Sequence, residues 1–176
     1  MESGFGSVFQ PGLQTGPSLA VELISSHARL GGSVNLGAYT RLSDLLNFHD
    51  EILTLKDGVV LNRTGIATAD GAADLDVHLE GLTIVMDHSD YVPPPEADAI
   101  PKRAHRMLAV TSGHLITGTF FIYPDAEPIA YLRAKEPHWI PLTDVRVRSL
   151  VDRRIKFGAG FAVLNRSAIV ATAIDA

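Results

Sequence analysis

From Leu19 onward, apolar and polar positions alternate over short stretches, the period-two pattern of half-buried strands. It predicts strands at Leu19–Ser26, Ala28–Leu36 and Glu51–Lys56, then one long strand at Asp74–Met86 bent at Gly81. A second series follows at Met107–Ser112, Leu115–Tyr123, Trp139–Leu150, Ile155–Val163 and Ala168–Ala173. Two short segments break the alternation. Leu42, Leu45 and Leu46 share one helical face over Leu42–Phe48, with Thr40 as a cap, and Pro128 suits the first turn of a helix running to about Lys135. Asp57-Gly58 reads as a tight turn, and the Gly/Ala/Thr-rich stretch after Asn62 reads as a loop.

The pattern is written twice. ILTLKD at Ile52–Asp57 recurs as WIPLTD at Trp139–Asp144, and GSVNL from Gly32 recurs as GTFFI from Gly118. Taking LTIV at Leu82–Val85 to match FAVL at Phe161–Leu164 implies an extra eight residues in the first copy. A duplicated fold explains the repetition. The predicted class is mainly β with short helices: two repeated small β-barrel or sandwich-like units, β-β-α-β-β-β, related by pseudo-symmetry. The chain divides into an N-terminal arm (1–18), a first repeat (19–91), a Pro-rich linker (92–106) and a second repeat (107–176).

Composition narrows the class. With 46% hydrophobic and 20% charged residues the chain can bury a core. It has no cysteine, which excludes disulfides, thiolate metal sites and cysteine nucleophiles. No apolar stretch is long enough to span a bilayer, and the start lacks the basic and apolar regions of a signal peptide, so no membrane insertion and a cytoplasmic location are expected. The arm is Gly/Ser/Pro-rich, with Phe5, Phe9 and Leu13 as apolar anchors that could order on a partner. Charge is split: residues 1–92 hold 4 Lys/Arg and 12 Asp/Glu, residues 93–176 hold 11 and 8. That division argues against non-specific nucleic-acid binding by the whole molecule and permits attraction between halves or chains.

Two alternating segments carry the candidate chemistry. Asp74, Asp76, His78 and Glu80 share one face of a strand whose other face is Leu75, Val77 and Leu79. Such a face is a solvated surface, an interaction surface or the start of a divalent-cation site. Arg146, Arg148, Arg154 and Lys156 share the outer face of a hairpin turning at Val151-Asp152-Arg153. Like charges on neighbouring strands repel, so this face calls for solvent, an acidic partner or a phosphate-bearing ligand. Matching the two segments by their inward residues would place Asp74 opposite in role to Arg154, and Asp76 to Lys156. The seven histidines show no zinc-ligand spacing, and no phosphate loop or nucleophile elbow is present.

RLSDLLN at Arg41–Asn47, PLTDVRV at Pro141–Val147 and AVLNRSAIVA at Ala162–Ala171 resemble a family of small bacterial β-rich domains of unknown function. The resemblance covers most of Leu19–Ala173 and implies a fold, with no assigned reaction, cofactor or catalytic residue. The first copy has Met86-Asp87-His88 where the Asn-Arg turn is expected. The reading is a non-enzymatic interaction module, adaptor or assembly subunit without a cofactor, whose partner is a protein or a second copy of the chain. The alternatives are an anionic-ligand or nucleic-acid-binding module on the basic hairpin, and a metal-dependent enzyme built on Asp74, Asp76, His78 and Glu80.

Overall fold

The computed structural model describes residues 16–48, 51–68, 73–95 and 100–175. Phe5 and Phe9 lie outside the described residues. The first half runs β1 (Ser18–Ser25), β2 (Arg29–Asn35), α1 (Leu42–Phe48), β3 (Ile52–Leu61), β4 (Ala73–His78), a 3-10 turn at Leu79–Gly81 and β5 (Leu82–Asp87). The second runs β6 (Arg103–Thr111), β7 (His114–Ile122), α2 (Pro128–Arg133), β8 (Trp139–Ser149), β9 (Lys156–Asn165), a 3-10 turn at Arg166–Ala168 and β10 (Ile169–Ile174). Both helices fall where the apolar pattern and Pro128 place them. The basic residues Arg103–Arg106, grouped above with the linker, already belong to β6.

The ten strands form one antiparallel sheet that does not close on itself, in the order β10-β6-β7-β8-β9-β5-β1-β2-β3-β4. The mainly β class is as expected, but the strands of both halves share a single sheet, joined where β5 pairs with β9. Each half keeps the same internal order: β5-β1-β2-β3-β4 in the first, β10-β6-β7-β8-β9 in the second.

The ladders agree in detail. The β1–β5 ladder slips between Ile24 and Ser25, and the β6–β10 ladder slips opposite Val110 and Thr111. The β2–β3 ladder steps from Gly31↔Val59 to Ser33↔Lys56, leaving Gly32 against Asp57 and Gly58. The β7–β8 ladder steps from Thr117↔Arg146 to Thr119↔Thr143, leaving Gly118 against Asp144 and Val145. Two residues facing one is a β-bulge, which bends and twists the strand. Asp57-Gly58 is therefore a bulge inside a ten-residue strand and not the tight turn its composition suggests.

The ladders correct two sequence-based matches. Ile52 pairs with His78 as Trp139 pairs with Asn165, so Ile52–His78 and Trp139–Asn165 are equal in length. Phe161–Leu164 lies in β9 and Leu82–Val85 in β5, so these runs do not correspond and no eight-residue insertion exists. Asp74 and Asp76 accordingly stand at the positions of Phe161 and Val163, and not at those of Arg154 and Lys156. The predicted long strand over Asp74–Met86 is also broken. The 3-10 turn at Leu79–Gly81 brings Leu79 and Leu82 into one core, which an unbroken strand would place on opposite faces.

Two apolar clusters lie on opposite faces of the shared strands. Val85 and Val163 face the first cluster, while Ile84, Met86, Ala162 and Leu164 face the second. Each of these six residues is fully buried, so the β5–β9 junction is the dry centre of the molecule. Burial on both faces accounts for the nearly continuous apolar sequence of these strands.

Candidate interaction surfaces

The acidic segment lies on β4, at one end of the sheet. Asp74 is ion-paired to Lys56 on β3, with both side chains 56% exposed. The hydrogen bond from Lys56 holds the Asp74 carboxyl below the usual carboxylate range and raises the lysine. Asp76 accepts a hydrogen bond from Thr54 Oγ1 at 2.9 Å. Glu80 belongs to the 3-10 turn, off the β4 ladder, and both it and His78 are exposed. Of the four residues predicted as one face, Asp74 and Asp76 thus have separate partners on β3, and Glu80 lies off the strand. Among the described residues, no three His, Asp or Glu side chains gather closely enough to hold a metal ion.

The basic segment is the β8–β9 hairpin. Arg148 stands directly opposite Lys156, and Arg146 opposite Gly158, while Val145 and Val147 point into the second core. The alternation therefore orients these strands as predicted. Arg154 differs: it sits in the turn, where its Nε and Nη2 donate to the Asp152 carboxylate at 3.1 and 3.0 Å. Those bonds hold Asp152 below the usual carboxylate range. The cationic face is Arg146, Arg148 and Lys156, with Arg154 neutralised beside it.

Sequence reasoning missed the contacts of three polar residues, two of which join the halves. Asn47, the last residue of RLSDLLN, aligns its side-chain amide with the backbone of β8. Its Oδ1 accepts from Trp139 N at 2.9 Å and its Nδ2 donates to Trp139 O at 3.1 Å. Trp139, 2% exposed, enters the first half's core from the second half. Asn165 is fully buried; its Nδ2 donates to Leu82 O at 2.8 Å and its Oδ1 accepts from Ser167 N at 3.0 Å. Arg166 donates to Tyr131 O, Leu132 O and Pro137 O, satisfying carbonyls at the end of α2. The available signal was position: Asn165 ends the apolar run of β9, and Asn47 is the polar residue next to the last in α1.

A third node sits within β1. Glu22 is 8% exposed inside the apolar run AVELI, and a buried carboxylate requires a partner. Arg29 supplies it through Nε and Nη2, the latter at 3.0 Å, and His88 Nε2 lies 3.3 Å from the same carboxylate. The Arg29 guanidinium also lies 4.2 Å from the Phe157 ring centroid, tying β2 to β9.

The sheet ends in two edge strands that no described strand covers, β4 and β10. Native edges are normally blunted by charge, proline or bulges. β10 reads IVATAI, without charge or proline; its one bulge is at Val170, which is 74% exposed. Among the described residues, no helix is long and apolar enough to cross a membrane. The chain matches no protein-family model, no curated protein and no solved structure.

Proposed function

We propose that this chain is a tandem duplication of one β-β-α-β-β-β unit and works as a non-enzymatic assembly subunit, binding through its surfaces. The observation that carries this reading is a continuous ten-stranded sheet ending in two edge strands that no described strand covers. The common strand order and the paired bulges at Gly32/Asp57 and Gly118/Asp144 support the duplication. The residues that carry the family resemblance have structural work. Asn47, Asn165 and Arg166 hold backbone groups of neighbouring elements. Asp74 and Asp76 of β4 are engaged singly, by Lys56 and Thr54, which favours a surface role over a metal site. Native mass spectrometry of the full chain tests the reading. It predicts multiples of 18.9 kDa without retained ligand. A monomer carrying a stoichiometric nucleotide or metal would overturn it.

A second reading has its own observation, the juxtaposition of Arg146, Arg148 and Lys156 on one exposed hairpin face. In this reading the face takes a phosphate-bearing ligand. Replacing all three by Glu abolishes retention of that ligand if the reading holds. It leaves the folded monomer unchanged, since the inward residues are untouched.

A further inference from the structure

The β5–β9 junction contains its own instruction for a second contact. β5 is the fifth strand of the first half and β9 the fourth strand of the second. The two edges that no described strand covers are the remaining members of the same set: β10, fifth in the second half, and β4, fourth in the first. They stand at opposite ends of the sheet, so a junction of the same kind requires another molecule. We infer that β4 of one copy pairs antiparallel with β10 of a second copy, repeating the β5–β9 junction head to tail. This inference rests on the assembly-subunit reading and names the partner and the surface.

The internal register predicts the external one. Inside the chain, Ile84, Val85, Met86 and Asp87 face Leu164, Val163, Ala162 and Phe161. Counting from the 3-10 turns, Ala171 takes the place of Ile84 on β10, while Val77 takes that of Leu164 on β4. Ala171 then meets Val77, Thr172 meets Asp76, and Ala173 meets Leu75. Apolar residues fall opposite apolar ones, and a threonine hydroxyl falls opposite a carboxylate. The last step pairs Ile174 with Asp74, as the internal junction pairs Phe161 with Asp87.

Two neighbouring residues fit the same arrangement. Ile52 occupies the ladder position of Trp139 but is 43% exposed, whereas Trp139 is 2% exposed against the adjoining half. The contact would place Ile52 against the α2 region of the next copy. His78 occupies the position of Asn165, whose amide donates to Leu82 O across the internal junction. An imidazole N–H at His78 reaches toward the corresponding carbonyl, Ile169 of the next copy. A contact using two different strands is heterologous, and it generates a ring when the rotation closes.

A charge exchange tests the register. The full chain carrying Thr172→Asp sets two carboxylates face to face across the contact. Sedimentation over a concentration series should show association weakened by at least about fivefold per interface. Adding Asp76→Lys to the same chain should restore association toward the wild-type value, because the new charges oppose each other only in this register. Circular dichroism of each variant verifies the monomer fold, and Thr172 is exposed, so the fold should persist. Wild-type assembly that ignores Thr172→Asp, or a double variant without recovery, overturns the β4–β10 contact and leaves the assembly reading standing on another face. An isologous β10–β10 dimer belongs to that outcome, since it brings no Asp76 opposite residue 172. A wild type that stays monomeric at every concentration overturns the contact together with the assembly reading.

Discussion

Asp57 and Asp144 adopt the same left-handed backbone, with φ of 49° and 52°, and each faces a glycine across a bulge. Aspartate is among the few L residues that visit this region at modest cost. Opposite them, a Cβ on Gly32 would lie 2.7 Å from Lys56 O, and one on Gly118 would lie 3.3 Å from Thr143 O. The two halves thus use one device at one place, with unequal tolerance. Gly32→Ala should destabilise by about 1–3 kcal/mol, the range of overpacking a tight site. Gly118→Ala should cost clearly less, because its nearest neighbours need move only slightly. Denaturant titration of both variants measures the difference, and equal costs would contradict the contact geometry.

The Asn47–Trp139 pair predicts how the halves hold together. Trp139→Ala removes the largest side chain that crosses into the first core, and should cost about 3–5 kcal/mol. Asn47→Ala leaves the indole in place but strands the Trp139 amide and carbonyl at a part-buried site. It should cost about 1–3 kcal/mol. Thermal or chemical unfolding checks both, and an Asn47→Asp variant should recover the acceptor half of the pair alone.

Much of the fold was legible because local chemistry and burial agree there. The leucines of α1, Pro128 of α2 and the Val145–Arg148 alternation each point to one element, and each forms where predicted. The failures lie where one local signal has two physical outcomes. Asp57-Gly58 suits a turn or a bulge, and the choice depends on Gly32 on another strand. Gly81 marks a bend in the run from Asp74 to Met86, but nothing local tells a bent strand from the 3-10 turn that reverses the facing of Leu82. The β5–β9 pairing could not be read from either strand, since both are apolar on both faces and pair far apart in sequence. The polar surfaces were legible as residues, while their partners Lys56, Thr54 and Asp152 emerge only from register and turn geometry.

His114 predicts a pH dependence. Burial, and secondarily the charge of Arg29, holds its imidazole below the usual histidine range. Its Nδ1 is buried without a hydrogen-bond partner among the described residues, and its ring meets Phe157 edge-on. The unfolded chain then binds a proton more readily than the folded one. Stability from this group is fully present above about pH 6.5 and is lost as pH falls from there toward the folded value. Melting temperatures measured from pH 8 to pH 5 should fall on the acid side, and His114→Phe should flatten that slope. An unchanged slope would assign the dependence to another group.

The edges β4 and β10 stand open among the described strands while the sheet is paired at its middle through β5 and β9, and hydrogen exchange reads that difference most directly. Amides of β5 and β9 should be protected at every protein concentration, because their partners lie within the chain. The outward-pointing amides of β4 and β10, those not bonded to β3 and β6, should exchange quickly in dilute solution and become protected together as concentration rises. Protection of both edges rising in parallel is the predicted result. Edge exchange that stays fast and independent of concentration, beside a protected β5–β9 junction, would contradict the account.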